Sequence, residues 1–413
     1  MNILVMGMNY APEKTAIGLL TTSLCDYLRQ MGHRVTVVTA FPHYPEWRIH
    51  DGYRGRVFLR DRVSGIPVYR SYVYVPGKPN THQRIAYDSS FSVSAFISGL
   101  AVGKVDVIVC VSPPLQLGLT AYMLGKLKGV SFLFHIQDIL PDAAVDVGML
   151  KGRRVVGLAY RLEKFIYKKA AAIGVISPGF ADNLYYKGVP KSKLYYLPNW
   201  IDTDFIKPLD RNNIFRRQNG LSESDFVIMY TGNIGKKQAL ETFVDAASLL
   251  RRQPDMVFLI AGEGARKVAL MEKAQEMNLS DLRFLPLQPR QMLPYMFSAA
   301  DVLVVTQQKG IIDICLPSKL LTVMASAKPI VAGVNERSET ARAIRDAEAG
   351  LVVAPGNAQA LAEAILRLRG SSRLRQELGS NGRAYVNAHF EKLKVLEKFE
   401  GLLEAVAKKA NYG

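Results

Sequence analysis

The chain has 413 residues, and its 49% of hydrophobic residues suffices for the cores of two or three domains. No apolar run is long enough to span a bilayer and no basic leader precedes the first strand, so we expect neither a membrane span nor a signal peptide. The formal net charge of +17 indicates an anionic partner, either a lipid surface or a phosphorylated substrate, since no nucleic-acid-binding motif is present.

Strands and helices alternate along the first half of the chain. The predicted strands cover 2–8, 35–39, 68–75, 105–111, 130–136 and 172–176, and the predicted helices cover 19–31, 84–102, 116–128 and 153–170. This alternation predicts a parallel sheet with helices on both faces. The three cysteines, Cys25, Cys110 and Cys315, lie far apart without metal-binding spacing, which is typical of core thiols in a reducing cytosol.

The pattern stops between Pro198 and Pro208 and then restarts, so we interpret this stretch as a linker. The predicted strands of the second half cover 226–231, 256–261, 282–285, 301–305, 329–332 and 351–354. The predicted helices cover 239–252, 265–277, 319–324, 358–369, 374–388 and 392–409. The sequence therefore predicts an α/β protein with two doubly wound domains facing across a cleft, one over 1–205 and the other over 206–391.

The stretch 313–331 predicts a loop, a short helix and a buried strand. Pro317 suits the first helical position. The amides of Ser318, Lys319 and Leu320 would then be free at the positively polarised helix start, where Lys319 adds a full charge. This combination indicates an anion site for a phosphate, whereas the alternative is an ordinary connection with one solvated lysine.

A basic loop follows the first strand of the second half and reads GNIGKKQ over 232–238. Its glycines allow the backbone to approach a ligand closely. Lys236 and Lys237, together with Lys319, would place three cations at the carboxyl edge of the sheet, as a diphosphate requires. An exposed turn with solvated lysines is the alternative.

Two basic runs lie in the first half. The first consists of Arg54, Arg56, Arg60, Arg62, Arg70, Lys78 and Arg84, and the second of Lys151, Arg153, Arg154, Arg161, Lys164, Lys168 and Lys169. Each basic residue near an anionic leaflet contributes about 1 kcal/mol, so either run predicts binding to an anionic membrane surface. A solvated helix face is the alternative.

The order of these stretches resembles glycosyltransferase family four, a large retaining family of the GT-B fold, over nearly the whole chain. The matching positions are Gly232, Asn233 and Lys237, the run Pro198-Asn199-Trp200-Ile201-Asp202 with Phe205, the turn Gly262-Glu263-Gly264, and the stretches 350–353 and 361–365. The phrases HIQD, GNIGKKQ and PSKL most resemble the branch that makes colanic-acid-type and O-antigen polysaccharides.

The resemblance implies two Rossmann-like domains, with a final helix near 392–413 packing back on the first domain. It implies a hexosyltransferase-type reaction from a nucleotide-diphosphate sugar, with a UDP-sugar favoured, to a polyprenyl-diphosphate-linked acceptor. The first domain would bind the acceptor and the second the donor. The protein would then act in the cytoplasm, peripheral to the inner face of the plasma membrane.

The family's donor residues carry over to this chain with departures. Lys237 would bind the diphosphate, Gly18 would close on the phosphates, and Gly262 would belong to the neighbouring turn. Asn233 stands where relatives often have arginine.

The family's Glu-x7-Glu pair falls on Ile314 and Thr322, so the usual carboxylates are absent. We expect Asp313 to reach the donor sugar and Thr322 to bond a ribose hydroxyl.

Two residues at the end of the predicted strand 130–136 complete the catalytic set. His135 falls where the family has a histidine beside the donor sugar, and we expect it to form a hydrogen bond in the transition state rather than to remove a proton. Asp138 follows and would receive the acceptor proton. The alternatives are a structural histidine and a helix cap.

Asp202-Thr203-Asp204 matches the Asp-x-Asp metal motif of other glycosyltransferases, but it lies in the linker. GT-B enzymes use basic residues and helix dipoles instead, so we expect no metal and no other cofactor. Three rival functions remain: a nucleotide-sugar epimerase or hydrolase of the same fold, a non-catalytic nucleotide-sugar-binding subunit, and, less favoured because no dinucleotide fingerprint is present, a redox enzyme.

Overall fold

The computed structural model describes residues 1–13, 15–44, 46–77, 80–146, 150, 152–311 and 316–410. The chain divides into two compact units. The first unit comprises Met1–Asn199 and Val395–Gly413, and the second comprises Trp200–Lys394. No helix within the described ranges is long and apolar enough to cross a membrane.

The first unit is built on a sheet that has eight strands among the described residues, in the order β3-β4-β2-β1-β5-β6-β7-β8. The strands are β1 Asn2–Met6, β2 Arg34–Ala40, β3 Phe58–Val63, β4 Ile66–Ser71, β5 Val107–Ser112, β6 Phe132–Ile136, β7 Ala172–Val175 and β8 Leu194–Tyr196. All neighbours are parallel except β3 and β4, which form an antiparallel edge hairpin. The central strand β5 is buried along its whole length, as a parallel strand covered on both faces should be.

Helices connect the strands of the first unit. They are α1 Ala16–Gln30, α2 Thr81–Leu100, α3 Leu117–Lys128, α4 Asp142–Asp146, α5 Arg153–Lys169 and α6 Pro178–Tyr186. The chain builds outward from β1 through β2 to β4 and then resumes with β5 on the other side of β1. This reversal makes β1 and β5 the topological switch point, outside which doubly wound sheets bind their ligands.

The second unit has a wholly parallel sheet, whose described strands follow the order β11-β10-β9-β12-β13-β14. These strands are β9 Phe226–Thr231, β10 Met256–Ala261, β11 Leu282–Leu285, β12 Val302–Thr306, β13 Ile330–Gly333 and β14 Gly350–Val353. The order is that of a dinucleotide-binding sheet, with the switch point between β9 and β12.

Helices cover both faces of this sheet, and a hydrophobic core lies on each face. They are α7 Ile214–Gln218, α8 Glu241–Leu250, α9 Lys267–Glu276, α10 Leu293–Ala299, α11 Ser318–Ala325, α12 Glu339–Asp346, α13 Ala358–Arg369 and α14 Ser372–His389. The prediction of two doubly wound parallel sheets is therefore confirmed.

The last helix is α15 Lys392–Ala410, and from Val395 onward it belongs to the first unit, as the resemblance implies. The ring of Phe399 meets His135 edge-on, with 5.3 Å between ring centroids. The carboxylate of Glu400 accepts a 2.9 Å hydrogen bond from the hydroxyl of Tyr27 and lies 2.8 Å from Nε2 of His33.

The structure differs from the sequence predictions at β3 and at Arg70, and it adds the unpredicted elements β8, α4, α6, α7, α10 and α12. The strand β3 was not predicted, because its side chains are exposed or half-buried and three of its six residues are charged. Arg70, which the sequence assigns to a basic surface run, is instead 1% exposed. Its guanidinium lies 3.2 Å from Asp61, donates to the carbonyl of Ala11 at 2.8 Å and lies 5.1 Å from the centroid of the Tyr53 ring, so the charge is paired inside the unit.

The structure also locates the cysteines and the basic runs that the sequence singled out. Cys25 and Cys110 are buried free thiols. Cys315, Lys78 and Lys151 lie outside the described residues. The second basic run lies on α5, where every described lysine and arginine is exposed.

Candidate active site

Two glycine loops meet at the carboxyl edge of the second sheet. Gly232 follows β9 with φ of 127°, and its N–H donates to the carbonyl of Ala261 at 2.9 Å. A Cβ on Gly262, which follows β10, would lie 1.9 Å from the carbonyl oxygen of Gly232. The backbone of Gly262 can approach Gly232 this closely only because it carries no Cβ, and the φ of 127° at Gly232 also favours glycine.

Lys319 lies against the first of these loops. Its ammonium sits 3.3 Å from the centroid of the Tyr230 ring and 3.7 Å from the position that a Cβ on Gly232 would occupy. No carboxylate of the described residues pairs with it. Burial holds the pKa of Lys319 well below its usual range. An anion bound at this point would supply the missing countercharge and favour the protonated lysine.

The start of α11 differs from the prediction by one residue. Pro317 has ψ of 130° and is the N-cap, so the first helical residue is Ser318. The N–H of Leu320 donates to the carbonyl of Pro317 at 2.9 Å and is therefore not free, which corrects that part of the prediction. The N–H groups of Ser318 and Lys319 have no acceptor among the described residues, so two amides remain for an anion.

Lys237 lies in the short turn Lys236–Gln238 that follows β9, and its side chain is exposed. Its carbonyl accepts the N–H of Gln308 at 2.7 Å, and the carbonyl of Gln238 accepts the hydroxyl of Thr306 at 2.6 Å. These bonds tie the β9 loop to the end of β12, at the switch point of the sheet.

The remaining donor residues predicted in the second unit are placed as follows. The side chain of Asn233 is exposed, and its carbonyl accepts the Tyr230 hydroxyl at 2.7 Å. The hydroxyl of Thr322 donates to the carbonyl of Ser318 at 3.1 Å, which leaves its oxygen able to accept a further bond. Asp313 lies outside the described residues, so its predicted contact with the sugar stays a prediction.

His135 is the penultimate residue of β6 in the first unit and is 3% exposed. The amide nitrogen of Gln137 lies 2.7 Å from its Nε2 and also donates to Asn199 at 2.9 Å. Burial lowers the pKa of His135 to about 4, so its imidazole is neutral at pH 7. The ring thus fixes Gln137 at the start of the loop that carries Asp138, and its expected hydrogen bond in a transition state stays a prediction.

Asp138 is exposed and lines a cavity of about 440 Å³ within the first unit. Gly18 lies in the first turn of α1, where its N–H donates to the hydroxyl of Thr15 at 3.0 Å. A Cβ on Gly18 would lie 2.8 Å from that hydroxyl and 3.2 Å from the carbonyl oxygen of Glu13, so a larger residue would require the cap to shift. Whether Gly18 also closes on phosphates stays a prediction.

The sequence missed a buried network beside the ends of β1 and β2. One carboxylate oxygen of Glu13 accepts the N–H groups of His43 at 2.8 Å and Tyr44 at 2.9 Å, and the other accepts the amide of Asn9 at 2.8 Å. Nε2 of His43 lies 2.7 Å from the hydroxyl of Tyr87. The network holds two loops at the carboxyl edge of the first sheet, and a lone glutamate in a loop gave no signal of it.

The Asp-x-Asp motif takes part in local structure. One oxygen of Asp202 accepts the N–H of Phe205 at 2.9 Å, and the other lies 3.5 Å from the ammonium of Lys392. Within the described ranges, no group of three or more histidine, cysteine or acidic side chains is arranged to hold a metal ion. That the reaction needs no metal ion or other cofactor stays a prediction.

Two family models match the chain: one described as glycosyl transferase 4-like domain over residues 15–200, and one described as glycosyl transferases group 1 over residues 211–385. A putative colanic acid biosynthesis glycosyl transferase, WcaI of Escherichia coli strain K12, is 35% identical over 332 residues. That alignment covers 79% of this chain and 81% of WcaI. The chain belongs to the GT-B glycosyltransferases. The resemblance to family four drawn from its motifs is thereby confirmed.

Other known proteins agree with this assignment. The probable glycosyltransferase WbjE of Pseudomonas aeruginosa is 26% identical, with 71% of this chain and 73% of WbjE covered. Sucrose-phosphate synthase of Thermosynechococcus elongatus has a TM-score of 0.74 at 19% identity, covering 98% of this chain and 99% of its own. HepE of Anabaena, solved with UDP, has a TM-score of 0.72 at 15% identity, covering 98% of this chain and 100% of its own. At these identities the two solved structures show the fold alone.

Proposed function

We propose that this glycosyltransferase moves a sugar, with retention at the anomeric carbon, from a UDP-sugar to a polyprenyl-diphosphate-linked acceptor. We place the reaction in the synthesis of a bacterial extracellular polysaccharide or O-antigen, at the cytoplasmic face of the membrane, without a metal or other cofactor. The name of WcaI supports the pathway class, and the UDP bound to HepE supports the nucleotide.

The observation that carries the proposal is the Lys319 ammonium, held against Tyr230 beside the glycine loops without an acidic partner among the described residues. The free N–H groups of Ser318 and Lys319 lie at the same helix start. A diphosphate would satisfy the amides and the ammonium together. As the sugar leaves, negative charge develops on that diphosphate, so donors fixed there stabilise the transition state more than the bound substrate.

Two rival functions make different demands on the same site. An epimerase or hydrolase would consume the nucleotide sugar without lipid. A non-catalytic binding subunit would leave it intact, and Thr322 in the place of a family glutamate is the observation that favours this rival. Both rivals keep the diphosphate site, so binding and turnover have to be measured separately.

The binding experiment is a thermal-shift panel with UDP, GDP, ADP, dTDP and their sugars on the full chain. We expect UDP to raise the unfolding temperature most, because a ligand stabilises the state that binds it. Lys319→Met should remove most of the shift. The control is Lys273→Met, which deletes a lysine of the same unit that is paired with Asp245 at 2.6 Å. A full shift in Lys319→Met would refute the diphosphate assignment.

The turnover experiment follows a radiolabelled UDP-sugar with and without a bacterial lipid extract. Label that enters the lipid phase only when extract is present supports the transferase. Release of free sugar or a changed sugar without extract indicates the hydrolase or epimerase, and an intact donor under both conditions indicates the binding subunit.

A further inference from the structure

A cavity of about 440 Å³ lies wholly within the first unit, between α2, the end of β5, residues 138–144 and the first half of α5. Ligand pockets commonly have volumes of 300–1,000 Å³, so it has the size of a small-molecule site. Much of its lining is aliphatic and comes from the region of α4 and α5, including Leu140, Leu150, Val155 and Leu162. Its polar lining includes Arg84 and Asp138.

The first half of α5 is unusual for a helix of a folded domain, because none of its residues from Arg153 to Leu162 is buried. Leu158 lines the cavity and is nevertheless 67% exposed. Arg154 and Arg161 immediately precede the cavity-lining residues Val155 and Leu162 in the sequence. No described carboxylate pairs with either arginine. An open aliphatic surface flanked by unpaired cations matches a ligand with a hydrocarbon chain and an anionic group.

Arg84 is held in place at the cavity wall. Its guanidinium lies over the rings of Trp47 and Tyr87, at 5.6 and 4.9 Å from their centroids. Nε of Arg84 is 3.7 Å from Asp88, which also lines the cavity. The nitrogens of the guanidinium other than Nε can still donate to an anion, so Arg84 is a fixed donor for a phosphate beside the aliphatic lining, in a wall that also carries the carboxylates of Asp88 and Asp138.

We propose that this cavity binds the isoprenoid chain of the acceptor lipid next to its diphosphate, with Arg84 and the arginines of α5 contacting the phosphates. The inference rests on the proposed function for the identity of the lipid. Asp138 lines the same cavity, so a lipid held there brings its head group to the carboxylate that we expect to receive the acceptor proton. A concave cavity can enclose a single isoprenoid chain, whereas the surface of a bilayer is flat and would not fill it.

The test measures binding of farnesyl diphosphate to the full-length protein by calorimetry, below the micelle concentration of the probe and with saturating UDP to occupy the second unit. We expect one site per chain. Leu158→Asp should weaken binding about 10- to 100-fold, since burying a leucine side chain contributes that range and a carboxylate opposes the phosphates. Ala159→Trp, which fills the cavity, should have a similar effect.

The matched control is Leu127→Asp. Leu127 is 66% exposed on α3, and it does not line the cavity, so the substitution is chemically identical at an equally exposed site. We expect it to leave the affinity unchanged. The UDP-induced thermal shift is recorded for each variant, because a retained shift shows that the donor site is intact. This measurement separates failure of this inference from failure of the proposed function.

Several outcomes would overturn the inference. Equal affinities of the wild type and Leu158→Asp would show that the probe binds elsewhere. If inorganic diphosphate binds as tightly as farnesyl diphosphate, the isoprenoid chain contributes nothing to the affinity. Sedimentation with anionic vesicles without binding of the soluble probe would assign the surface to the bilayer. A dimer in sedimentation velocity that Leu158→Asp dissociates would assign it to a second copy of the protein.

Discussion

Replacing Lys319 with methionine should separate the ligand role of this residue from its effect on stability. The side chain keeps its length and apolar stem but loses its charge. The ammonium lies against Tyr230 with no acidic partner among the described residues, and burial lowers its pKa well below the usual value. The methionine variant should therefore unfold at the same or a higher temperature than the wild type near pH 7.

The sign of the pH dependence follows from the direction of that shift. Between the lowered pKa of folded Lys319 and its ordinary value of 10.5, the unfolded chain binds more protons than the folded chain. The wild type therefore gains stability as the pH rises through this window, by at most about 1.4 kcal/mol per pH unit. Lys319→Met lacks this gain, so its advantage in unfolding temperature should shrink as the pH rises toward 10.5.

The same substitution should weaken the binding of UDP, although it does not destabilise the free protein. A hydrogen bond to a charged group contributes about 1.5–3 kcal/mol, so the variant should bind UDP about 10- to 100-fold more weakly. In scanning calorimetry, 1 kcal/mol corresponds to about 2–4 °C for a unit of this size.

The assay compares the wild type, Lys319→Met and Lys273→Met from pH 6 to 10 with and without UDP. A variant that loses stability without UDP and keeps its full UDP shift would refute the reasoning, because Lys319 would then serve only its contact with Tyr230.

Three further predictions concern single residues of the site. Gly262→Ala should destabilise the second unit by about 1–3 kcal/mol or more, since its Cβ would lie 1.9 Å from the carbonyl oxygen of Gly232. It should also weaken UDP binding. An unchanged unfolding temperature would contradict the observed approach of the two loops. Lys237→Ala should weaken UDP binding about tenfold without changing the unfolding temperature of the free protein, because the side chain is exposed; an unchanged UDP affinity in titration calorimetry would remove Lys237 from the site. Asp138→Asn should lower turnover about 10²- to 10⁴-fold while the UDP shift stays the same, and wild-type turnover would exclude Asp138 as the base.

Local sequence determined much of the fold and part of the site. Buried parallel strands appear as short apolar runs, and strands 226–231, 256–261 and 282–285 were predicted at the bounds that the structure has. The start of α11 near Lys319 and the glycine loop at Gly232 were predicted because helix starts and glycine turns are specified by neighbouring residues.

Contacts between distant parts of the chain could not be predicted in this way. Arg70 looked like part of a basic surface run until β3 and the β1 loop supplied Asp61 and the Ala11 carbonyl. Glu13 gave no local signal because its partners at His43 and Tyr44 come from another loop.

The sequence by itself determined which stretches become strands, where the glycine turns lie and which lysines are available for an anion. The tertiary structure alone decided that Lys319 lies over Tyr230, that His135 is packed against Phe399 from the last helix, and that Arg84 and Leu158 line one cavity. The physical reason is that backbone preferences act within a few residues, whereas burial and charge pairing depend on side chains that only the folded sheets bring together.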